Sequence, residues 1–354
     1  MRRSLSLLLL VVVLPAVHAA PAEAIPSGLE FRHEDWTLAC DNTRTCRAAG
    51  YQRDDGDSEP VSILLTRPGG PGQRVSAELM LGQYEETTLP KQLQLQINDA
   101  TPALLQYDAD AGTAILSEAQ VSTLLASLTR ISRIVLIAED GRRWTVSDRG
   151  ASAVLLKMDE FQGRLGTPGA LVRKGTRAEA TVLPALPVPV VTVVKAPPTR
   201  PADAALATST ALRAALAAAT SADDCAALHP DDSMFADEGP QQITVQRLSA
   251  DKLLVSQNCW RAAYNTGDGY WVVNDHAPYH PTLVTASAAD GDVRSIEQAH
   301  KGRGLGDCWY TASWVWNGTR FVKTAEASSG LCRLVAAGGA WQMPTLVSEV
   351  KDAP

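Results

Sequence analysis

After its first residues the chain has no apolar run long enough to cross a bilayer as a helix, which takes about 20 residues. It also lacks any dense cluster of lysine and arginine. Its formal charge of −7 has the wrong sign for nucleic acid, where neutralising phosphates dominates affinity. The same sign argues against docking on anionic membrane. No Cys-x-x-Cys pair occurs and the cysteines lie far apart, so a structural zinc site is not expected. There is no Gly-x-Ser-x-Gly elbow and no His-Glu-x-x-His. No cofactor motif stands out. Lys301-Gly-Arg-Gly-Leu-Gly306 is glycine-rich but lacks a Walker lysine and a strand-to-helix setting, so it reads as a loop.

What is present begins with an export address. Arg2 and Arg3 precede an unbroken apolar run, Leu7 to Leu14, which Pro15 ends. Small residues follow at Val17-His18-Ala19 and Ala22-Glu23-Ala24. This is the layout of a secretory signal peptide over residues 1–20. Its removal takes Arg2 and Arg3 with it, moving the formal charge from −7 to −9. Cys40, Cys46, Cys225, Cys259, Cys308 and Cys332 all follow it, and an even count in an exported chain reads as disulfides. Proximity favours Cys40–Cys46, Cys225–Cys259 and Cys308–Cys332. A thiol nucleophile is therefore not expected.

Residues 25–175 read as an α+β domain with a mixed sheet and two helices. Trp36–Cys40 alternates, Asp41–Arg44 turns, and Cys46–Tyr51 returns. Val61–Thr66, Val75–Leu81 and Leu93–Ile97 are further strands. Ser117 with Gln120 forms a capping box ahead of Val121, Leu124, Leu125 and Leu128, one helical face. Arg133–Glu139 is a strand that Asp140-Gly141 turns into Trp144–Val146. A second helix covers about residues 151–162, with Ala151, Val154, Leu155, Met158 and Phe161 as its buried stripe.

Residues 176–204 read as a proline-rich linker. Six prolines fall between Pro184 and Pro201, which favours an extended, semi-rigid spacer. The valines at 188, 190, 191, 193 and 194 offer another outcome, an added edge strand. Residues 205–354 read as an alanine-rich helix followed by an antiparallel β domain stapled by two disulfides. The part from Asp223 on holds six of the eight tryptophans. Asn317-Gly318 marks a hairpin turn.

Two stretches bear a family resemblance: Asp35-Trp-Thr-Leu-Ala-Cys-Asp-Asn-Thr-Arg-Thr-Cys-Arg-Ala-Ala-Gly-Tyr51, and Leu155-Leu-Lys-Met-Asp-Glu-Phe-Gln-Gly-Arg-Leu-Gly-Thr167. With Trp314-Val-Trp-Asn-Gly-Thr-Arg-Phe321, Gly330-Leu-Cys-Arg333 and Trp341, they resemble the DUF1176 family of exported Gram-negative proteins. That resemblance implies a periplasmic location and supplies no activity or catalytic residue. The helix after the 140–146 hairpin is also similar to invasion-associated locus B proteins.

Several groups are candidates for binding. Arg164 could hold an anion or simply fix the helix end with Asp159. Trp309, Tyr310, Trp314 and Trp316 share a strand. Alternation puts Tyr310, Trp314 and Trp316 on one face and Trp309 on the other. One set could form an aromatic platform for a glycan or protein; core packing is the competing reading. Asp275, His276 and His280 could ligate zinc or copper, although a loop fixes no common face for them. Asp54-Asp-Gly-Asp-Ser-Glu59 lacks the ligand spacing of an EF-hand. The leading expectation is a non-enzymatic envelope protein that binds a protein or glycan, free of nucleic acid and not inserted in the membrane. The alternative is a carboxylate-dependent hydrolase acting on envelope glycan. A third reading is a purely structural component.

Overall fold

The computed structural model describes residues 24–83, 88–229, 235 and 239–353. The expected signal segment lies outside the described residues. The chain opens with β1 (Leu29–His33), β2 (Trp36–Cys40), β3 (Cys46–Tyr51), β4 (Val61–Arg67) and β5 (Ser76–Leu81). Next come β6 (Leu93–Ile97), β7 (Ala103–Leu104), β8 (Gln106–Asp108), β9 (Thr113–Ile115) and helix α1 (Glu118–Ser127). β10 (Ile134–Ala138), β11 (Arg143–Val146) and helix α2 (Ala151–Phe161) complete this part. They form a seven-stranded sheet, β1-β2-β3-β4-β5-β9-β8, and a four-stranded sheet, β11-β10-β6-β7. Their pairing is antiparallel throughout rather than mixed. The α+β class with two helices stands, and Ser117 and Gln120 cap α1 reciprocally, as the sequence predicts. One face of the large sheet packs against the small sheet and both helices, around Trp36, Leu38, Ile63, Leu79, Leu136 and Met158.

The strands differ in how their two faces are covered. β5 and β6 alternate buried with exposed or half-buried positions, as a one-sided strand should. In β2 every residue is buried, and β3 and β4 are nearly so. Their second face is covered by the end of the chain. Ala39, Ala49, Tyr51 and Leu64 pack there against Leu331, Val335, Ala340, Trp341 and Met343.

Polar groups lock this seam. Trp341 Nε1 donates to Ser62 Oγ at 2.7 Å. The Tyr51 hydroxyl accepts from Leu331 N at 3.2 Å, and burial pushes its pKa up to about 12. A Cβ on Gly330 would fall 1.9 Å from that hydroxyl, and its φ of +89° also favours glycine. Arg333 Nη2 donates to the buried Asp35 carboxylate at 3.0 Å. Asn42 mimics a strand neighbour, accepting from Val347 N and donating to Val347 O.

The second part starts from β12 (Val190–Val193), short helix α3 (Pro201–Ala205) and helix α4 (Thr210–Ala219). Two antiparallel sheets follow. The first is β13 (Thr244–Arg247), β14 (Lys252–Arg261), β15 (Thr266–Asn274) and β16 (Thr282–Ala288), paired in that order. The second is β17 (Asp290–Gly291), β18 (Ser295–Lys301), β19 (Trp309–Trp316), β20 (Phe321–Ser328) and β21 (Met343–Leu346). The four-stranded sheet is covered on one side by α4 through Leu212, Leu216, Trp271 and Val273. Its other side meets the five-stranded sheet through Leu254, Tyr270, Ile296, Trp314 and Trp316. The three disulfides form as proximity suggests, Cys40–Cys46, Cys225–Cys259 and Cys308–Cys332. Among the described residues no helix is long and apolar enough to cross a membrane.

The proline-rich stretch links the two parts but is not a free spacer. Leu186 N donates to Thr43 O, and β12 pairs in parallel with the last strand, β22 (Glu349–Asp352). Val191 and Val193 bury themselves against Val315 and Val322. The valines thus take the edge-strand option, because burying them outweighs leaving an extended chain in water. The alanine-rich helix is divided in two: Ser209 accepts from Leu212 N and starts α4 afresh. Arg247, almost wholly buried, anchors the linker's end by donating to both oxygens of Asp203 in α3. These hydrogen bonds hold the Asp203 pKa down at about 2, from an ordinary 3.8.

Denaturant unfolding tracked by tryptophan fluorescence and by far-UV circular dichroism should give one coincident transition. Trp341→Ala should cost about 3–5 kcal/mol; separated transitions, or a mild Trp341→Ala, would mean the halves melt independently. The Asp203 pKa is depressed on folding, so its contribution is complete above the ordinary carboxylate range and lost as pH falls toward 2. Melting temperatures measured from pH 7 to 2.5 should fall less steeply for Asp203→Asn than for the unaltered chain, from a lower start.

Candidate functional site

Arg164 is an internal strut rather than an anion seat. Gly163, with φ +69°, ends α2 and turns the chain so that Arg164 points inward. Its Nε donates to Gln162 Oε1 at 2.8 Å, Nη1 to Glu179 at 3.1 Å and Nη2 to Gly70 O at 2.5 Å. Gln162 in turn donates to the carbonyls of Arg44 and Arg67. Asp159 accepts from Leu171 N at 2.7 Å, Val172 N at 3.0 Å and Arg67 Nη1 at 3.4 Å. Every strong donor of Arg164 is taken, and its side chain is fully buried. Burial raises the Asp159 pKa, against the pull of those backbone amides and of Arg67. The Asp159 side chain is itself wholly buried.

The aromatic strand also packs inward. Tyr310, Trp314 and Trp316 share the face predicted from alternation, and that face belongs to the core between the two sheets. Trp316 is fully buried and lies 5.5 Å from Phe321, centroid to centroid. The Tyr310 hydroxyl is spent on Glu326. Burial alone would raise Glu326, but hydrogen bonds from Lys323, Tyr310 and Ser27 outweigh it and hold its pKa at about 2. Trp309, half-buried on the other face, donates to Gly306 O at 2.9 Å beneath Lys301. No open aromatic platform results. Two-sided cover forces this: β12 caps the outer face of the same sheet.

Asp275, His276 and His280 do not assemble as a ligand set. Asp275 is held by Arg247 at 3.2 Å and by His276 Nδ1 at 2.8 Å. Among the described residues the only close group of three potential ligands is Asp307 with Cys308 and Cys332, and those cysteines are bonded to each other. Asp307 instead pairs with Arg303 and accepts from Leu334 N.

Two of the predicted residues do converge elsewhere. Trp314 and His280 line one pocket of about 450 Å³, between edge strand β16 and the β19–β20 hairpin. The register bulges where β15 meets β16, which re-aims the edge strand's side chains. Lys252 opens β14 opposite Asn274 and donates to its Oδ1 at 2.6 Å. Lys323 pairs across from Trp314, placing Nζ 5.3 Å from the ring centroid. The predicted Asn-Gly turn is a four-residue loop, because Trp316 pairs with Phe321. Asn317 Oδ1 accepts from Thr319 N and Arg320 N and fixes the loop, with Gly318 at φ +96°. Arg320 thereby lines the pocket. Its Nε and Nη2 are shut off from solvent and have no hydrogen-bond partner among the described residues. No sequence signal separates this arginine from the paired ones. It sits inside the Trp314–Phe321 motif, where it reads only as a hairpin residue.

A larger cleft of about 720 Å³ runs along the seam. Several of its cations are paired within the chain: Arg333 with Asp35 and Asp54, Arg303 with Asp307, Arg142 with Asp140. The 450 Å³ pocket has the size of a ligand cavity and brings together two of the predicted residues, Trp314 and His280.

A family described as "Protein of unknown function (DUF1176)" matches residues 30–348. The chain belongs to the DUF1176 family. It is 26% identical to the Uncharacterized protein YpfG of Escherichia coli K12, across 98% of this chain and 99% of that one. The crystal structure of invasion associated protein b from Bartonella henselae aligns with 38% of this chain and 99% of its own. That alignment has 15% identity and a TM-score of 0.27, too loose to carry an argument about this DUF1176 chain.

The strut reading of Arg164 has a direct check. Arg164→Ala leaves Glu179 and several carbonyls without their donor and should cost about 3–5 kcal/mol. Arg164→Lys should recover only part of it, since one ammonium cannot reproduce the planar fork. Equilibrium unfolding of both variants measures this; wild-type stability in Arg164→Ala would return the residue to the list of ligand-binding candidates.

Proposed function

We propose that this protein is an exported, periplasmic binding protein of the cell envelope, non-enzymatic, with its ligand seat in the pocket framed by Trp314, Lys252 and Arg320. One observation carries the reading: Lys252, Arg320 and Lys323 line that pocket beside Leu283, Phe321 and Trp314, with no aspartate or glutamate among the described lining residues. Three disulfides suit an oxidising compartment. The pocket's size suits a sugar-sized ligand better than a protein, whose interfaces bury about 800 Å² on each partner. Between the two expected partners, a glycan is therefore favoured.

The test uses the mature protein on beads with solubilised envelope polysaccharide. Thr282 is exposed on the pocket rim, so Thr282→Trp should plug the pocket without disturbing the core. Capture by the unaltered protein, lost in Thr282→Trp at unchanged melting temperature, is the expected result. Absence of capture, or equal capture by both, would sink the assignment.

A further inference from the structure

We propose that the apolar ridge of residues 183–190 docks into a groove of a partner protein, lined with aromatic side chains and edged with carboxylates at one end. The ridge is Leu183-Pro-Ala-Leu-Pro-Val-Pro-Val190, without a charged or polar side chain. It lies in the open. Leu183, Leu186, Val188 and Val190 are 40%, 43%, 50% and 54% exposed, and Pro184, Ala185 and Pro187 are exposed beside them. A contiguous apolar patch on a folded surface marks an interaction site. Local chemistry fixes its shape. Proline locks φ at 184, 187 and 189, and the residue before each proline is pushed to extended backbone. Ala185 alone escapes both constraints before β12 takes over at Val190. Polyproline II repeats every three residues, so Pro184, Pro187 and Val190 share one edge, the P-x-x-P spacing that aromatic grooves read.

The ridge is pinned to the fold. Leu183 N donates to Gln162 O at 3.3 Å, Arg44 Nη1 to Pro184 O at 2.7 Å, Leu186 N to Thr43 O at 3.1 Å and Glu349 N to Pro189 O at 2.8 Å. A partner meets it already ordered, which lowers the cost of binding. Among the described residues no donor reaches the carbonyls of Ala185, Leu186, Pro187 and Val188. In lipid hydrocarbon those acceptors would stay bare; in an aromatic groove the N–H of tryptophan and the O–H of tyrosine can meet them. Eight residues are also too few for the roughly 800 Å² per partner of a stable pair of copies. Charge sets the direction. Arg44 sits on the Pro184 carbonyl and Arg177 on the Gly163 carbonyl. Gly163 lies against Leu183, since a Cβ there would fall 2.9 Å from the Leu183 Cγ. Both arginines thus flank the Leu183 end, and neither meets a carboxylate among the described residues. A carboxylate at that end of the groove gains a charge-assisted hydrogen bond.

The probe is an isolated nitrogen-15-labelled SH3 domain, chosen for an aromatic groove with acidic residues at one end. Titrated with the mature protein, the indole N–H of its groove tryptophan should shift saturably. Leu186→Asp and Val188→Asp alter exposed side chains, so both should melt with the unaltered protein. Each should weaken binding at least about tenfold, the loss of one apolar anchor from a groove. Arg177→Gln should weaken it about two- to fivefold, as for an exposed ion pair, and flatten its dependence on salt. Thr282→Trp, at the pocket beside β16, should leave the shift as it was, which separates this surface from the glycan site. No saturable shift, or a shift indifferent to both aspartate variants, would overturn the inference. Two further outcomes would overturn it as well. One is binding to anionic phospholipid vesicles, lost in Leu186→Asp, without a shift of the SH3 domain, which would give the ridge to a lipid surface. The other is a concentration-dependent dimer in sedimentation velocity, lost in Leu186→Asp, which would give it to a second copy.

Discussion

The fold depends on one constraint: the first sheet has two apolar faces, and only one can be covered from within its own half. β2, β3 and β4 are nearly continuous apolar runs, and α2 with the smaller sheet covers a single side of them. The other side would lie open without residues 331–347. Those residues bring Trp341, Leu331 and Val335 onto it, and Arg333 onto the buried Asp35. The Cys308–Cys332 disulfide ties the covering segment to the start of β19, so the seam and the second half's five-stranded sheet are covalently coupled. A chain with two sets of sheets therefore holds one continuous structure, and the linker follows its surface instead of spanning a gap.

Buried arginines form a second theme. Arg164, Arg247 and Arg333 are nearly or wholly buried. Each is met by carboxylates or backbone carbonyls, as a guanidinium removed from water must be. They stitch together segments distant in sequence: Arg164 joins the end of α2 to the linker at Glu179, Arg247 joins β13 to α3, and Arg333 joins the last part of the chain to the first. Against that pattern Arg320 stands apart. It lines a pocket, and its Nε and Nη2, shut off from solvent, meet no acceptor among the described residues.

The residues alone determined a good deal. Local signals, whose physics is complete within a few positions, were legible: the Ser117–Gln120 capping box, the limits of α2, the alternation of β6, the shared face of Tyr310, Trp314 and Trp316, and the three near-neighbour disulfides. The residues also marked the DUF1176 resemblance. What lay beyond them were the pairings of groups far apart in the chain. Whether the tryptophan face was open or covered depended on a second sheet and on β12. Whether Arg164 was free depended on Gly70 and Glu179, and whether the proline-rich stretch stood clear depended on Val315, Val322 and β22. Only the tertiary structure decided which partners each arginine found, because hydrogen-bond satisfaction is a property of the whole surrounding shell and leaves no mark in the order of the residues.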